Sequence, residues 1–134
     1  MDDARLVARG LPEGAARDAL LARVELAAGD APAALACAGA AVARAATPPE
    51  EVEARLVLGL ALAASGVSAS DEAARAWEIA SVSLPLGERL AVGLALRPLL
   101  AEPQRAELDS DVAFALDDVP ATLPARRRWE GILT

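Results

Sequence analysis

The chain has 134 residues, a formal net charge of −7, and 54% hydrophobic against 25% charged residues. That length suits a single domain burying roughly two thirds of its unfolded surface, and the apolar share excludes global disorder. The acidic balance excludes a nucleic-acid surface, which needs concentrated positive charge to displace counterions from phosphates.

Alanine makes up about a quarter of the residues, tyrosine is absent and there is one phenylalanine. Alanine has the highest helix propensity and the strand-favouring residues are scarce, so an all-α fold is expected. All 13 basic residues are arginine, which suggests a GC-rich coding sequence and a bacterial source. Cys37 has no cysteine partner and sits in AALACAGAA, where it is expected to pack as a small apolar residue. The stretch MDDARLVARG lacks the apolar core of a signal peptide. The longest apolar run, 56–64, falls far short of the ~20 residues of a membrane span. A cytoplasmic protein with no membrane association is the expectation.

In chain order, residues 1–12 are ambiguous: LVARGLP suits a short leading helix stopped by Gly10 and Pro12. The spacing of Leu20, Leu21, Val24 and Ala28 predicts a helix over 13–29, closed by Gly29. Asp30 is the expected cap of a second helix over 31–46, built almost wholly of small residues. In TPPE, Thr47 can cap the N–H of Glu50, Glu50 can reach back, and Pro48 suits the first helical position. The helix it starts is expected to run to about Ser65 and stop at Gly66. Ser70 is the expected cap of a helix over 71–83. Beyond Pro85, helices are expected over 88–102, kinked or shortened by Pro98, and over 103–118. VPATLP reads as a linker, and ARRRWEGILT as a short helix or a flexible tail.

Aligned on their glycines, the helix pairs repeat about every 34–36 residues. Leu58-Gly59, Gly66, Ala73, Trp77, Ala80 and Pro85 in the central unit match the pattern of the tetratricopeptide repeat (TPR) family, which this chain resembles. The first unit matches through Leu21-Ala22, Gly29-Asp30, Ala34 and Ala41, and the third keeps only Leu94-Ala95. The resemblance implies an antiparallel helix-pair stack of about three pairs over 1–118, followed by a linker and short helix or tail over 119–134. Ala34, Ala41, Ala73 and Ala80 then mark helix crossings, and Trp77 the main bulky core residue of its unit.

The residue inventory points away from catalysis. His, Tyr, Lys and Asn are absent, which removes the usual general base, Schiff-base lysine and most zinc ligands. Asp109, Asp111, Asp117 and Asp118 could offer oxygen ligands, but 109 and 111 diverge on a helix and a solvated acidic face is the simpler reading. No enzyme activity, metal or cofactor is expected.

Carried over by repeat position, the first helix of each pair would line a groove. Its residues would be Ala19, Arg23 and Leu26, then Leu56, Leu60 and Ala63, then Arg89, Val92, Leu96 and Leu99. Such an apolar groove needs a cover: the segment 119–134 with Trp129, a second copy in a homodimer, or a partner's amphipathic helix. These residues would otherwise be ordinary core. The Arg126–Arg128 cluster beside Trp129 suits either a binding tail or internal pairing with the acidic stretch 107–118. The expected function is a non-catalytic protein–protein interaction module, or scaffold, binding a helical or extended segment of another protein. The alternative is a homo-oligomeric assembly subunit using the groove and the C-terminal tail.

Overall fold

Two helix starts, at Asp30 and Thr47, and two stops, at Gly29 and Gly66, follow the capping chemistry written in the sequence. The computed structural model describes residues 2–133, the Asp2 side chain excepted; Met1 and Thr134, the outermost residues of the two expected segments, lie outside the described residues. The helices are α1 (Asp2–Arg9), α2 (Ala15–Ala27), α3 (Ala31–Arg44), α4 (Pro48–Ala64), α5 (Ser70–Ser83), α6 (Leu86–Leu96), α7 (Gln104–Ala115) and α8 (Pro124–Leu133). Short 3-10 turns at Arg97–Leu99 and Leu116–Asp118 extend α6 and α7. No strand occurs among the described residues, so the fold is all-α.

The Asp30 carboxylate accepts from the Ala33 N–H at 3.0 Å and starts α3. Thr47 Oγ1 accepts from the Glu50 N–H at 3.4 Å, while Glu50 Oε1 accepts from the Ala46 N–H at 3.1 Å, and α4 begins at Pro48. The stops are equally local. Gly29 and Gly66 take positive φ of 80° and 76°. The N–H groups that follow them, of Asp30 and Val67, return at 2.9 Å to the carbonyls of Glu25 and Leu62. A side chain at either glycine would strain this left-handed closure.

One boundary differs from expectation and two open alternatives are resolved. Ser70 is the first helical residue of α5 and not its cap; buried Ala69 holds the cap position, its carbonyl accepting from the Ala73 N–H at 3.0 Å. Helix α6 ends at Leu96, because Pro98 lacks an N–H to continue the ladder and falls in a 3-10 turn. The last ten described residues form α8, which resolves the choice between helix and tail.

Helices α2, α3 and α4 pack mutually through alanine. Ala19, Ala41 and Ala54 form one buried cluster, and Ala22, Ala38 and Val57 another. Side chains this short let helix axes approach to the near end of the usual 8–10 Å range. Ala34, Ala41, Ala73 and Ala80 are all fully buried.

The C-terminal half is built from larger residues. Leu56, Leu90, Leu96, Leu108, Val112 and Trp129 share one core cluster contributed by α4, α6, α7 and α8. Each fully buried leucine there contributes about 1.5–3 kcal/mol through removal of apolar surface from water. Helix α6 packs on α5 and α8 and only lightly on α7, because the Trp129 indole lies beside Gly93 and Leu108 and fills the space a close α6–α7 contact would need. Val119 and Trp129 are part of this same cluster, so the 119–133 segment is packed into the body of the fold. No helix of the described residues is long and apolar enough to cross a membrane.

Ion pairs stitch neighbouring elements. Arg5 bonds Glu25 at 2.8 Å, Arg55 bonds Glu72 at 2.8 Å, and Arg97 grips Asp109 through two bonds of 3.0 Å. Burial opposes the Arg55 charge, but the hydrogen bond and charge of Glu72 outweigh it and hold its pKa above the ordinary value. The paired bond to Asp109 raises Arg97 likewise. Partly exposed pairs of this kind contribute up to about 1 kcal/mol each.

Candidate functional site

The face of α5 carrying Ala74, Trp77, Glu78 and Ser81 looks across open space at the face of α7 carrying Gln104, Glu107, Asp111 and Phe114. Each set recurs every three or four residues, so each lies along one side of its helix. Between these faces lies a two-lobed cleft. One lobe, of about 450 Å³, reaches Leu86, Arg89 and Leu90 of α6. The other, of about 350 Å³, reaches Leu100 and Gln104. Trp77, Ser81 and Asp111 belong to both lobes, which makes the half-buried indole of Trp77 their common floor.

The edge is unusual for a surface. Phe114, the only phenylalanine of the chain, is 91% exposed. Glu107 and Asp111 are exposed and make no ion pair among the described residues, while Glu78 meets only Arg75, at 3.4 Å. The one cation lining the cleft is Arg89, whose Nη1 donates to the Ser81 carbonyl at 3.4 Å. Its Nε is shut off from water with no acceptor among the described residues. The cleft thus combines an aromatic floor and an aromatic edge with an acidic wall.

The expected groove residues fall in several places. Ala19 is buried in the alanine cluster, Leu56 and Leu96 are buried in the main core, and Trp129 has no exposed surface at all. All four serve packing, and of them Ala19 also borders a surface trough. Leu26 and Leu60 are partly buried against core clusters, with Leu99 beside Leu60 in the same cluster. Ala63 is exposed near the end of α4. Arg23 is exposed and bonds Glu53 at 2.6 Å across α2 and α4. Val92 borders a shallow trough of about 280 Å³ with Pro49 and Glu53. That trough meets a second, of about 210 Å³, beside Ala19. Arg89 alone of the expected set reaches the α5–α7 cleft.

Trp77, expected as bulky core, is half-buried: it packs against two core clusters and also lines the cleft, while Trp129, expected among the partner-binding residues, is fully buried. Arg126 bonds Glu130 at 2.6 Å and also the Val119 carbonyl, so the arginine cluster does not pair with the acidic stretch 107–118. Arg127 and Arg128 stay exposed with no ion pair among the described residues. Asp109, one of the carboxylates weighed as a cation ligand, is occupied by Arg97. No grouping of three or more metal-ligating side chains occurs among the described residues.

Phe114 was not singled out by sequence reasoning, although a signal was present. Leu108, Val112, Ala115 and Leu116 account for the inward stripe of α7, which leaves Phe114 off that stripe in an otherwise acidic segment. A large aromatic outside the buried stripe is the residue to ask about.

Fold and cleft together define an all-helical protein with an open, acid-walled surface cleft. Comparison with protein-family models, with curated proteins and with solved structures finds no match to this chain.

Proposed function

We propose that the chain is a non-catalytic, TPR-like protein-interaction module of the bacterial cytoplasm, docking a segment of another protein in the α5–α7 cleft. The observation that carries this reading is Phe114, 91% exposed at the edge of a cleft floored by Trp77. Exposed aromatics beside a concavity are characteristic of docking surfaces, where they supply most of the binding energy. The absence of His, Lys and Tyr from the sequence favours binding over catalysis. The successive packing of α2, α3, α4 and α5 supports the helix-pair part of the reading.

Crosslinking in cells followed by capture of the wild-type chain and a Phe114→Glu variant tests it. The wild type should retain partners that the variant loses, with equal helicity by circular dichroism. An identical captured set from both proteins would overturn the cleft as the binding site.

A second reading is self-association, favoured by the unpaired Arg127 and Arg128 on α8 opposite in charge to the cleft wall. Light scattering after size exclusion separates the two: a monomer at micromolar concentration excludes an obligate assembly subunit.

A further inference from the structure

We infer that the α5–α7 cleft selects a basic protein segment, one in which an arginine or lysine stands next to a large apolar residue. This inference rests on the docking reading above and names the chemistry of the partner. The wall carries Glu78, Glu107 and Asp111 against the single cation Arg89, and Glu107 and Asp111 have no ion pair among the described residues. Unpaired carboxylates flanking a concavity are complementary to an incoming cation. The whole chain carries −7, so its field also steers a basic partner towards the cleft and repels a second copy of the same acidic chain.

Geometry sets the pairing of charge with apolar bulk. Asp111 and Trp77 border both lobes, so a cation held by Asp111 shares the cleft with an indole. A guanidinium suits that position best, since it stacks on an indole while donating two parallel bonds to a carboxylate. The neighbouring lobe, bounded by Leu86, Leu90 and Phe114, is large enough at about 450 Å³ for one bulky side chain. The depression between α6 and α8 is larger, about 570 Å³, but the one charge in its otherwise apolar lining is Arg128, which disfavours a basic segment there.

Panning a phage-displayed random-peptide library on the folded chain tests the inference. Enriched peptides should be net basic, with arginine or lysine beside a large apolar residue. A labelled enriched peptide should bind saturably, and roughly tenfold more weakly to a Glu107→Arg/Asp111→Arg variant or at raised salt. Both positions are exposed, so that variant keeps its fold. Enrichment of neutral or acidic peptides that Phe114→Glu abolishes would overturn the basic partner and leave the docking cleft standing. Peptides indifferent to both variants, or no enrichment, would overturn the cleft and the partner together. A dimer dissociated by Phe114→Glu would place a second copy in the cleft and overturn a foreign segment.

Discussion

The indole N–H of Trp129 donates to the carbonyl oxygen of Leu90 at 3.0 Å, and both residues are buried. One bond thereby fixes where α8 lies on α6. Truncating Trp129 to Ala removes the largest buried side chain of the protein and should cost about 3–5 kcal/mol, a large fraction of the stability of a small domain. Trp129→Phe, which keeps most of the bulk and loses the donor, should cost about 1–2 kcal/mol. Urea unfolding monitored by circular dichroism checks both values. Equal losses for the two variants would show that the hydrogen bond, not the volume, dominates.

Three glycines should respond to alanine in three different ways. A Cβ at Gly93 would stand 3.1 Å from a ring carbon of Trp129 and 3.1 Å from one of Trp77. Two indoles cannot both give way, so Gly93→Ala should destabilise by about 1–3 kcal/mol despite its better helix propensity. At Gly59 the nearest atom is the end of the Leu99 side chain, at 3.2 Å, which can turn aside, and the change should be close to neutral. Gly39 meets nothing within 4 Å in the interior of α3. Gly39→Ala should stabilise by about 0.5–1 kcal/mol. Thermal melts of the three variants should therefore shift in three distinct ways.

Cys37 should be a slow nucleophile. Burial raises its pKa, and the negative charges of Glu25 and Asp18 add to that shift. The charged form here is the thiolate, so the folded state holds the proton more tightly than the unfolded chain does. Alkylation by iodoacetamide in mildly alkaline buffer should be slower for native than for urea-unfolded protein. By linkage, the stability due to this group is complete below the unfolded thiol pKa and is lost as pH rises through the folded one. Equal alkylation rates would contradict a shielded thiol.

Phe114→Glu should leave stability within about 0.5 kcal/mol of the wild type, because the side chain buries almost nothing. Differential scanning calorimetry checks this. A marked loss would mean that Phe114 packs in solution, and that the cleft is closed there.

Much of the fold was legible because its signals are local. Asp30, Thr47, Gly29 and Gly66 each fix a helix end through hydrogen bonds within a few residues, so adjacent sequence suffices to read them. The burial of the alanines at 34, 41, 73 and 80 accords with what the repeat resemblance implies for them. The site was not legible from local signals. Which of the two tryptophans is fully buried depends on how α8, more than 30 residues beyond Gly93, packs onto α6. Periodicity says nothing about such a long-range choice. Repeat position assigns Arg89 to the groove, yet in the structure it lines the α5–α7 cleft. The outward position of Phe114 could have been read by subtraction from the inward stripe.

The alanine clusters joining α2, α3 and α4 carry a thermodynamic consequence. An alanine side chain has no rotamer to surrender on folding, so ordering this interior costs only backbone entropy. It also hides little apolar surface per residue, and apolar surface is the source of the heat-capacity increment of unfolding. That increment must therefore come mainly from the leucine- and tryptophan-rich half around Leu90, Leu108 and Trp129. Cooling and warming should act unevenly along the chain. Around Trp129 the curvature of stability with temperature is steep, while the three-helix alanine contact responds almost linearly.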